Sequence, residues 1–161
     1  MFRWLIIVAG LVLSGLPNGG ARAQSVSVVP DGRSQVILLR ETLIGLDQAN
    51  RTGNYGVFRD LGSPRFRNAN TEARLGQIFS ELRKQRIDMR TVSVLTPRFA
   101  VKPFVDKRNL LRLAGVFETP PRAVRFDLAF ELAGGQWRLF GIAVNPVKSN
   151  PKTPINEQKK R

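Results

Sequence analysis

Apolar residues recur at helical intervals along the first half of the chain. The first stripe comprises Val36, Leu39, Leu43 and Leu46. Spacings of three and four residues place such side chains on one face of a helix, which then packs against a core. Ser34 is the expected N-cap of this helix, and the sequence NRTG over residues 50–53 is expected to end it.

Two further helices are predicted downstream. The second is expected to start at Asn54 and to bury Tyr55, Phe58 and Leu61 before Gly-Ser-Pro at residues 62–64 stops it. The third is expected to start at Asn70, with Glu72 in its first turn. Its apolar stripe comprises Leu75, Ile78, Phe79 and Leu82. The first half of the domain is therefore predicted to be helical.

After Asp88 the apolar period changes to two, which is typical of strands. Residues 91–96 (TVSVLT) are β-branched and predict a short strand, which residues 99–101 extend. Three longer strands are predicted over residues 110–118, 123–132 and 136–144, separated by a four-residue loop and a Gly-Gly turn. We therefore expect an antiparallel meander.

The two turns predict the register of this meander. The four-residue loop sets Phe117 opposite Val124, Gly115 opposite Phe126, Leu113 opposite Leu128 and Leu111 opposite Phe130. The Gly-Gly turn sets Leu132 opposite Trp137, Phe130 opposite Leu139, Leu128 opposite Gly141 and Phe126 opposite Ala143. Both turns place the same residues on one apolar face, and a slip of one residue would destroy this agreement. The reverse face is then charged and carries Arg112, Arg125, Asp127, Glu131 and Arg138.

Helices followed by a curved antiparallel sheet make an α+β fold. Two stretches, Leu38–Phe66 and Gly134–Val144, together with the strands between them, resemble the nuclear transport factor 2-like superfamily, also called SnoaL-like or cystatin-like. The chain looks most like secreted bacterial members of that superfamily. The resemblance spans residues 35–145 and implies a cone-shaped domain, which we place at residues 35–146. It indicates fold far better than function.

The resemblance implies a conical cavity between the sheet and the helices. Its expected lining comprises Tyr55, Phe58, Phe79, Leu113, Phe126, Leu128, Phe130 and Trp137. Relatives use such a cavity for catalysis, for ligand binding or for dimer contacts. The alternative is that these side chains fill a solid core.

Few residues suggest chemistry inside the cone. Tyr55 could supply a hydrogen bond, as phenols do in the family's isomerases, or could simply pack beside Phe58. Asp127 and Arg138 resemble the Asp-Arg pairs of epoxide-hydrolysing relatives, yet the predicted register places both on the outer face. Asp47 lies where a family acid sometimes points inward, although an exposed carboxylate is the commoner outcome. No catalytic residue is assigned.

The first 23 residues read as a secretory signal. Arg3 precedes an uncharged run over residues 4–16, and Ala-Arg-Ala at 21–23 fits the small-x-small cleavage pattern. The apolar run is short for a membrane span, although an uncleaved tether is the alternative. Cleavage after Ala23 would deliver a periplasmic or secreted protein that begins with an N-terminal extension over residues 24–34.

The chain is strongly basic, with 26 Lys+Arg against 12 Asp+Glu in 161 residues. Removing residues 1–23 takes away two arginines and no acid, which leaves a net charge of +12. Residues 147–161 carry five bases against Glu157 with almost no apolar residues, and they predict a disordered tail that could contact anionic envelope surfaces. Nucleic-acid binding is not expected, because the aromatic residues lie on the apolar face and the bases elsewhere.

Histidine and cysteine are both absent from the sequence. Disulfides, thiolate or imidazole metal sites and the usual Ser-His-Asp triad are therefore excluded, and neither a metal nor a cofactor is predicted. The favoured function is a small exported binding or accessory protein of unknown ligand, whose cone holds an apolar small molecule or whose sheet contacts a partner. A strip formed by Phe140, Ile142 and Val144 on the charged face could support a homodimer. The alternative is a small hydrolase, isomerase or dehydratase acting in the cone.

Overall fold

The computed structural model describes residues 28–119 and 121–149, and within these ranges the helices come before the strands. The helices are α1 (Gly32–Thr52), α2 (Gly56–Asp60), α3 (Pro64–Ala69), α4 (Glu72–Ile78) and α5 (Ser80–Lys84). The strands are β1 (Arg98–Phe99), β2 (Phe104–Val105), β3 (Leu110–Phe117), β4 (Arg122–Ala133) and β5 (Gln136–Lys148). They form one antiparallel sheet in the order β1-β3-β4-β5, with β2 also pairing with β3. The predicted α+β class is confirmed. The predicted signal segment and most of the predicted tail lie outside the described residues.

Helix α1 buries the predicted apolar stripe. Leu39, Leu43 and Leu46 are completely buried, as the spacing indicated. The helix starts earlier than expected, because the carboxylate of Asp31 accepts a hydrogen bond from the backbone N–H of Ser34 at 2.7 Å and so provides the N-cap. Residues 32–34, predicted as part of an extension, are therefore helical. At the other end Gly53 adopts a left-handed conformation that terminates the helix.

The four helices that follow α1 are shorter than the two predicted there. Helix α2 buries Phe58, while Leu61 at its end is exposed. Helix α3 differs from the prediction, because Ser63 and Pro64 are its N-cap and first residue rather than the end of α2. The predicted third helix begins after Thr71, whose side chain accepts from the N–H of Arg74, and it is divided at Phe79 into α4 and α5. Ile78 is exposed, whereas Leu75, Phe79 and Leu82 are buried.

The strand predicted over residues 91–96 is wrong. Arg90–Ser93 form one turn of 3₁₀ helix, in which only Val92 is buried. Arg40 of α1 donates from Nε to the carbonyl of Val92 at 3.1 Å and from Nη2 to the carbonyl of Leu95 at 3.0 Å. These tertiary bonds satisfy backbone acceptors that a β-ladder would otherwise have used, so local β-propensity does not decide the conformation.

The meander is confirmed over most of its length. All four predicted pairs between β3 and β4 occur, and so do the two β4–β5 pairs next to the Gly-Gly turn. Beyond Leu139 a β-bulge makes Phe140 an extra residue, because Phe130 pairs with Leu139 while Ala129 pairs with Gly141. Leu128 therefore faces Ile142, not Gly141, and Phe126 faces Val144, not Ala143.

The bulge overturns the predicted apolar strip on the outer face. A shift of one residue exchanges the two faces of a strand, so Ile142 and Val144 pack against the core instead of lying among charged residues. Phe140, at the bulge, has the guanidinium groups of Arg65 and Arg108 over its ring at 5.0 and 5.7 Å. The strand also continues to Lys148, so residues 147 and 148, predicted to be disordered, are paired with Ala123 and Arg122.

The core lies between the inner face of the sheet and α1, and it includes Phe126 and Phe130, which are 1% and 2% exposed. Gly115 lies where strand β1 approaches β3 very closely. A Cβ built on Gly115 would lie 2.9 Å from both Phe126 Cζ and Phe99 Cα, and closer still to the carbonyl oxygen of Arg98. Two of these neighbours are backbone atoms of the adjacent strand, so they cannot move aside easily.

We predict that Gly115→Ala lowers the free energy of unfolding by about 1–3 kcal/mol, since the added methyl group overpacks the sheet. Urea denaturation monitored by circular dichroism measures this change.

Gly76→Ala is the matched control. Its new Cβ would lie 3.6 Å from Tyr55 Cε2, an ordinary contact, and Gly76 is inside helix α4. It should raise stability by about 0.5–1 kcal/mol, because alanine is the better helix former. Equal effects of the two substitutions would contradict the packing at Gly115.

Candidate functional site

The residues predicted to line a cavity instead pack against one another. Seven of the eight belong to the buried core, and Trp137 is half-buried against it. Phe79 stacks on Tyr55 with ring centroids 6.3 Å apart and meets Phe58 edge-on at 6.0 Å, while Phe117 lies 5.6 Å from Phe126. Such interlocking rings fill the space between sheet and helices.

Tyr55 directs its hydroxyl group towards the edge of this core. The hydroxyl donates to Asn50 Oδ1 at 2.6 Å and accepts from Arg83 Nη1 at 3.2 Å. The phenol is thus engaged by two polar side chains, and it links the buried ring to the surface beside α1 and α5.

Asp47 is buried, contrary to the expectation of an exposed carboxylate. It is 2% exposed, and its Oδ2 accepts from Arg51 Nε at 2.8 Å while Oδ1 accepts from the backbone N–H of Met89 at 3.2 Å. Residues four apart on a helix share one face, so Arg51 can reach back over Asp47. The carboxylate joins the last turns of α1 to the segment that follows α5.

These groups lie in the wall of a recess of about 480 Å³ that we call the arginine pocket. Helix α1 supplies three polar residues at helical spacing, and α5 with the following segment supplies the remainder. The lining comprises Asp47, Asn50, Arg51, Leu82, Arg83, Arg86, Ile87, Asp88 and Arg90. Four arginines therefore surround two aspartates, and the pocket has an excess of positive charge.

The two aspartates are already occupied by neighbouring groups. Asp88 accepts from Arg90 through the backbone N–H at 2.9 Å, Nε at 2.9 Å and Nη2 at 2.7 Å. The side-chain hydrogen bond with Arg90, followed by the backbone bond, lowers the pKa of Asp88 to about 2, and the same side-chain bond raises the pKa of Arg90. Asp47 is held by Arg51. Within residues 28–119 and 121–149, neither Arg83 nor Arg86 has a carboxylate within 4 Å.

Arg86 is also unusual in its backbone. Its φ of 48° lies in the left-handed region, where residues with a Cβ are rarely found. The position follows the end of α5, where glycine is the favoured residue. An arginine here places a guanidinium group at the pocket at the cost of local strain.

Other arginines have structural roles that the sequence pattern does not indicate. Arg59 donates to the carbonyls of Asn70 and Arg67, and Arg67 donates to the carbonyl of Gly62. Together with Arg40 they satisfy backbone acceptors where short helices and turns end. The signal that could have revealed the arginine pocket is the Asp47–Arg51 spacing followed by the basic run at residues 83–86.

The remaining predicted polar residues do not converge. Asp127 pairs with Arg112 at 2.8 Å, whereas Arg138 donates to Gln136 at 3.1 Å, so the pair suggested by epoxide-hydrolysing relatives is not formed. Glu131 is opposite Arg138 as predicted, but it is buried beneath Arg65 of α3, with which it forms its ion pair.

A larger recess of about 560 Å³ is lined by residues of β1, β3, β4 and the end of β5. Its two acids are paired, Glu118 with Arg98 and Asp127 with Arg112, while Arg125 and Lys148 in the lining form no ion pair with a described residue. Glu118 additionally accepts from Ser149 Oγ at 2.9 Å. The arginine pocket has the larger excess of positive charge, four arginines against two aspartates compared with three bases against two acids here, and is therefore the stronger candidate for an anionic ligand.

In the described part of the chain, no three acidic residues are grouped so that they could hold a metal ion. None of the helices described there combines the length and the apolar character needed to cross a membrane. Comparison of the chain with models of protein families, with curated proteins and with solved structures found no match.

We predict that Asp47→Ala lowers the free energy of unfolding by about 1–3 kcal/mol, because it leaves the N–H of the buried Met89 without a partner. Chemical denaturation measures the loss. Glu41→Ala removes an exposed carboxylate from the same helix and should change stability by less than about 0.5 kcal/mol. Similar losses in both variants would contradict the bridging role of Asp47.

The ion pair at Asp88 predicts a specific pH dependence. The folded-state pKa is below the ordinary value of 3.8, so the stability that this group contributes is present above pH 3.8 and is lost as the pH falls through about 2. Carbon-detected NMR titration of the carboxyl group should give a midpoint near pH 2. Arg90→Gln should return the midpoint towards 3.8, and Arg74→Gln, on α4, should leave it in place.

Proposed function

We propose that this chain is a small exported binding or accessory protein that carries out no chemical step. The observation that supports the proposal best is the solid packing of the aromatic residues between sheet and helices, since an enzyme of this design would need an open interior with convergent polar groups. The proposal includes membership of the nuclear transport factor 2-like superfamily, which the order of helices followed by a three-strand meander supports.

The alternative, a small hydrolase, isomerase or dehydratase, finds less support. A general base must lie within hydrogen-bond reach of a substrate proton, and the Asp47 carboxylate is almost completely buried. Both oxygens of Asp47 already accept hydrogen bonds, and the Tyr55 hydroxyl is held between Asn50 and Arg83. These groups serve as links between segments of the fold.

A packed interior also changes the kind of ligand that we propose. An apolar molecule inside the cone would have to displace core side chains. The free energy lost by disrupting the core would exceed the free energy gained by burying the ligand. Binding at the surface avoids this cost. The arginine pocket, which is polar and open to solvent, is the place that we assign to it.

Export can be tested on the full chain. Expression in a Gram-negative host, fractionation and mass determination should recover a periplasmic protein that begins at Gln24. The variant Ala21→Leu/Ala23→Leu, which removes the small-x-small pattern, should remain uncleaved at the membrane. Recovery of unprocessed wild-type protein in the membrane fraction would contradict cleavage and support a tether.

Native mass spectrometry of the protein extracted from that envelope fraction tests the binding role. We expect a bound small molecule or partner that is released unchanged on denaturation. A fluorescent apolar dye should not bind the folded protein, because the interior is filled. Release of the ligand as a chemically altered product would contradict a purely binding function.

A further inference from the structure

We infer that the arginine pocket binds a small anion that carries phosphate or carboxylate groups, through the guanidinium groups of Arg83 and Arg86. This inference rests on the proposed binding function and adds the site and the ligand class. Four arginines line the pocket, and its two aspartates are bonded to Arg51, Arg90 and the N–H of Met89.

Arg83 and Arg86 are the groups left to meet a ligand. Most other described arginines hold a carboxylate or a backbone carbonyl, whereas Arg83 uses one nitrogen on the Tyr55 hydroxyl and Arg86 has no carboxylate within 4 Å among the described residues. A guanidinium group offers five N–H donors in a planar fork. Oxyanions of phosphate and carboxylate groups match that fork with two parallel hydrogen bonds.

A purely structural role explains Arg83 better than Arg86. Arg83 lies in the last turn of α5, where a positive charge is favourable beside the negative end of the helix dipole. Arg86 lies beyond the helix at φ 48°, a conformation that glycine would adopt without strain. Ligand recognition by the Arg86 side chain would explain why an arginine, and not glycine, occupies this strained position.

The dimensions of the pocket restrict the ligand. About 480 Å³ suits a small organic anion, and the apolar lining is limited to Leu82 and Ile87. A long acyl chain would find little apolar surface here. A phosphorylated or polycarboxylated small molecule fits these dimensions. A phospholipid headgroup carries the same anionic groups, so the experiment must distinguish a free small anion from a lipid headgroup.

Binding is measured by isothermal titration calorimetry at low ionic strength, with citrate, inorganic phosphate and phosphatidylglycerol vesicles as probes. The test variant is Arg83→Gln/Arg86→Gln. The control variant is Arg33→Gln/Arg74→Gln, which removes the same charge from α1 and α4 outside the pocket. Losing two charge-assisted contacts should raise the Kd for citrate or phosphate about 10-fold or more in the test variant only.

The vesicle titration identifies the source of the anion. If vesicle binding weakens equally in both variants, it reflects net charge, and a free small anion is the ligand. If it weakens selectively in the test variant, the pocket takes the same groups from lipid. The inference is overturned if two results occur together. The Kd for citrate and phosphate changes less than 2-fold, or changes equally in both variants, and vesicle binding shows no selective loss in the test variant.

The backbone at Arg86 provides an independent test. Arg86→Gly should raise the melting temperature by roughly 2–4 °C, because glycine accepts a positive φ, and should weaken citrate binding at the same time. Asn109→Gly is the matched control, since Asn109 has a φ of 57° outside the pocket, and it should leave the Kd unchanged. Arg86→Gly with unaltered affinity would contradict a ligand-binding role for this side chain.

The inference and the proposed function fail in different ways. If the test variant still retains the native ligand in mass spectra of envelope-extracted protein, the pocket is the wrong site while the binding function stands. If the wild type releases an altered product, the binding function fails even though the arginines could still hold the anion.

Discussion

Burial of one apolar face of the β3–β4–β5 meander is the interaction on which the remainder of the structure depends. Phe126, Leu128 and Phe130 provide the central row of that face, and Leu39, Leu43 and Leu46 of α1 belong to the same buried cluster. Each such side chain contributes about 1.5–3 kcal/mol when it is fully removed from water. The short helices and the 3₁₀ turn have too few residues to be stable alone and depend on this core for their positions.

The β-bulge at Phe140 adapts the last strand to this core. Without the extra residue, the alternation of β5 would direct Ile142 and Val144 away from Leu128 and Phe126. With it, one strand keeps Leu139 and Val144 buried on the same side although they are five residues apart. The bulge thus extends the apolar inner face of the sheet and removes the apolar strip that was predicted on its outer face.

Arginine performs two distinct tasks in this fold. At several helix ends it donates to backbone carbonyls, as Arg40, Arg59 and Arg67 do, so part of the high positive charge is explained by the large number of short helices that must be terminated. At the arginine pocket, arginines outnumber acids. Within the described structure, the side chain of Arg86 donates to no backbone carbonyl. The contrast between these uses is what distinguishes a candidate binding site from a generally basic surface.

The sequence by itself determined the features that depend on local pattern. These are the apolar stripe of α1, the three long strands, and the β3–β4 register, which follows from a short loop and strict alternation. The tertiary structure alone decided the 3₁₀ turn at Arg90–Ser93, the bulge at Phe140 and the burial of Asp47. Each of these depends on a partner distant in sequence. Arg40 binds carbonyls more than 50 residues away, Asp47 bonds the N–H of Met89 42 residues away, and β5 follows the shape of a core assembled from every other element. The periodicity of apolar residues shows which residues a few positions apart share a face. It carries no information about hydrogen bonds between residues far apart in the sequence.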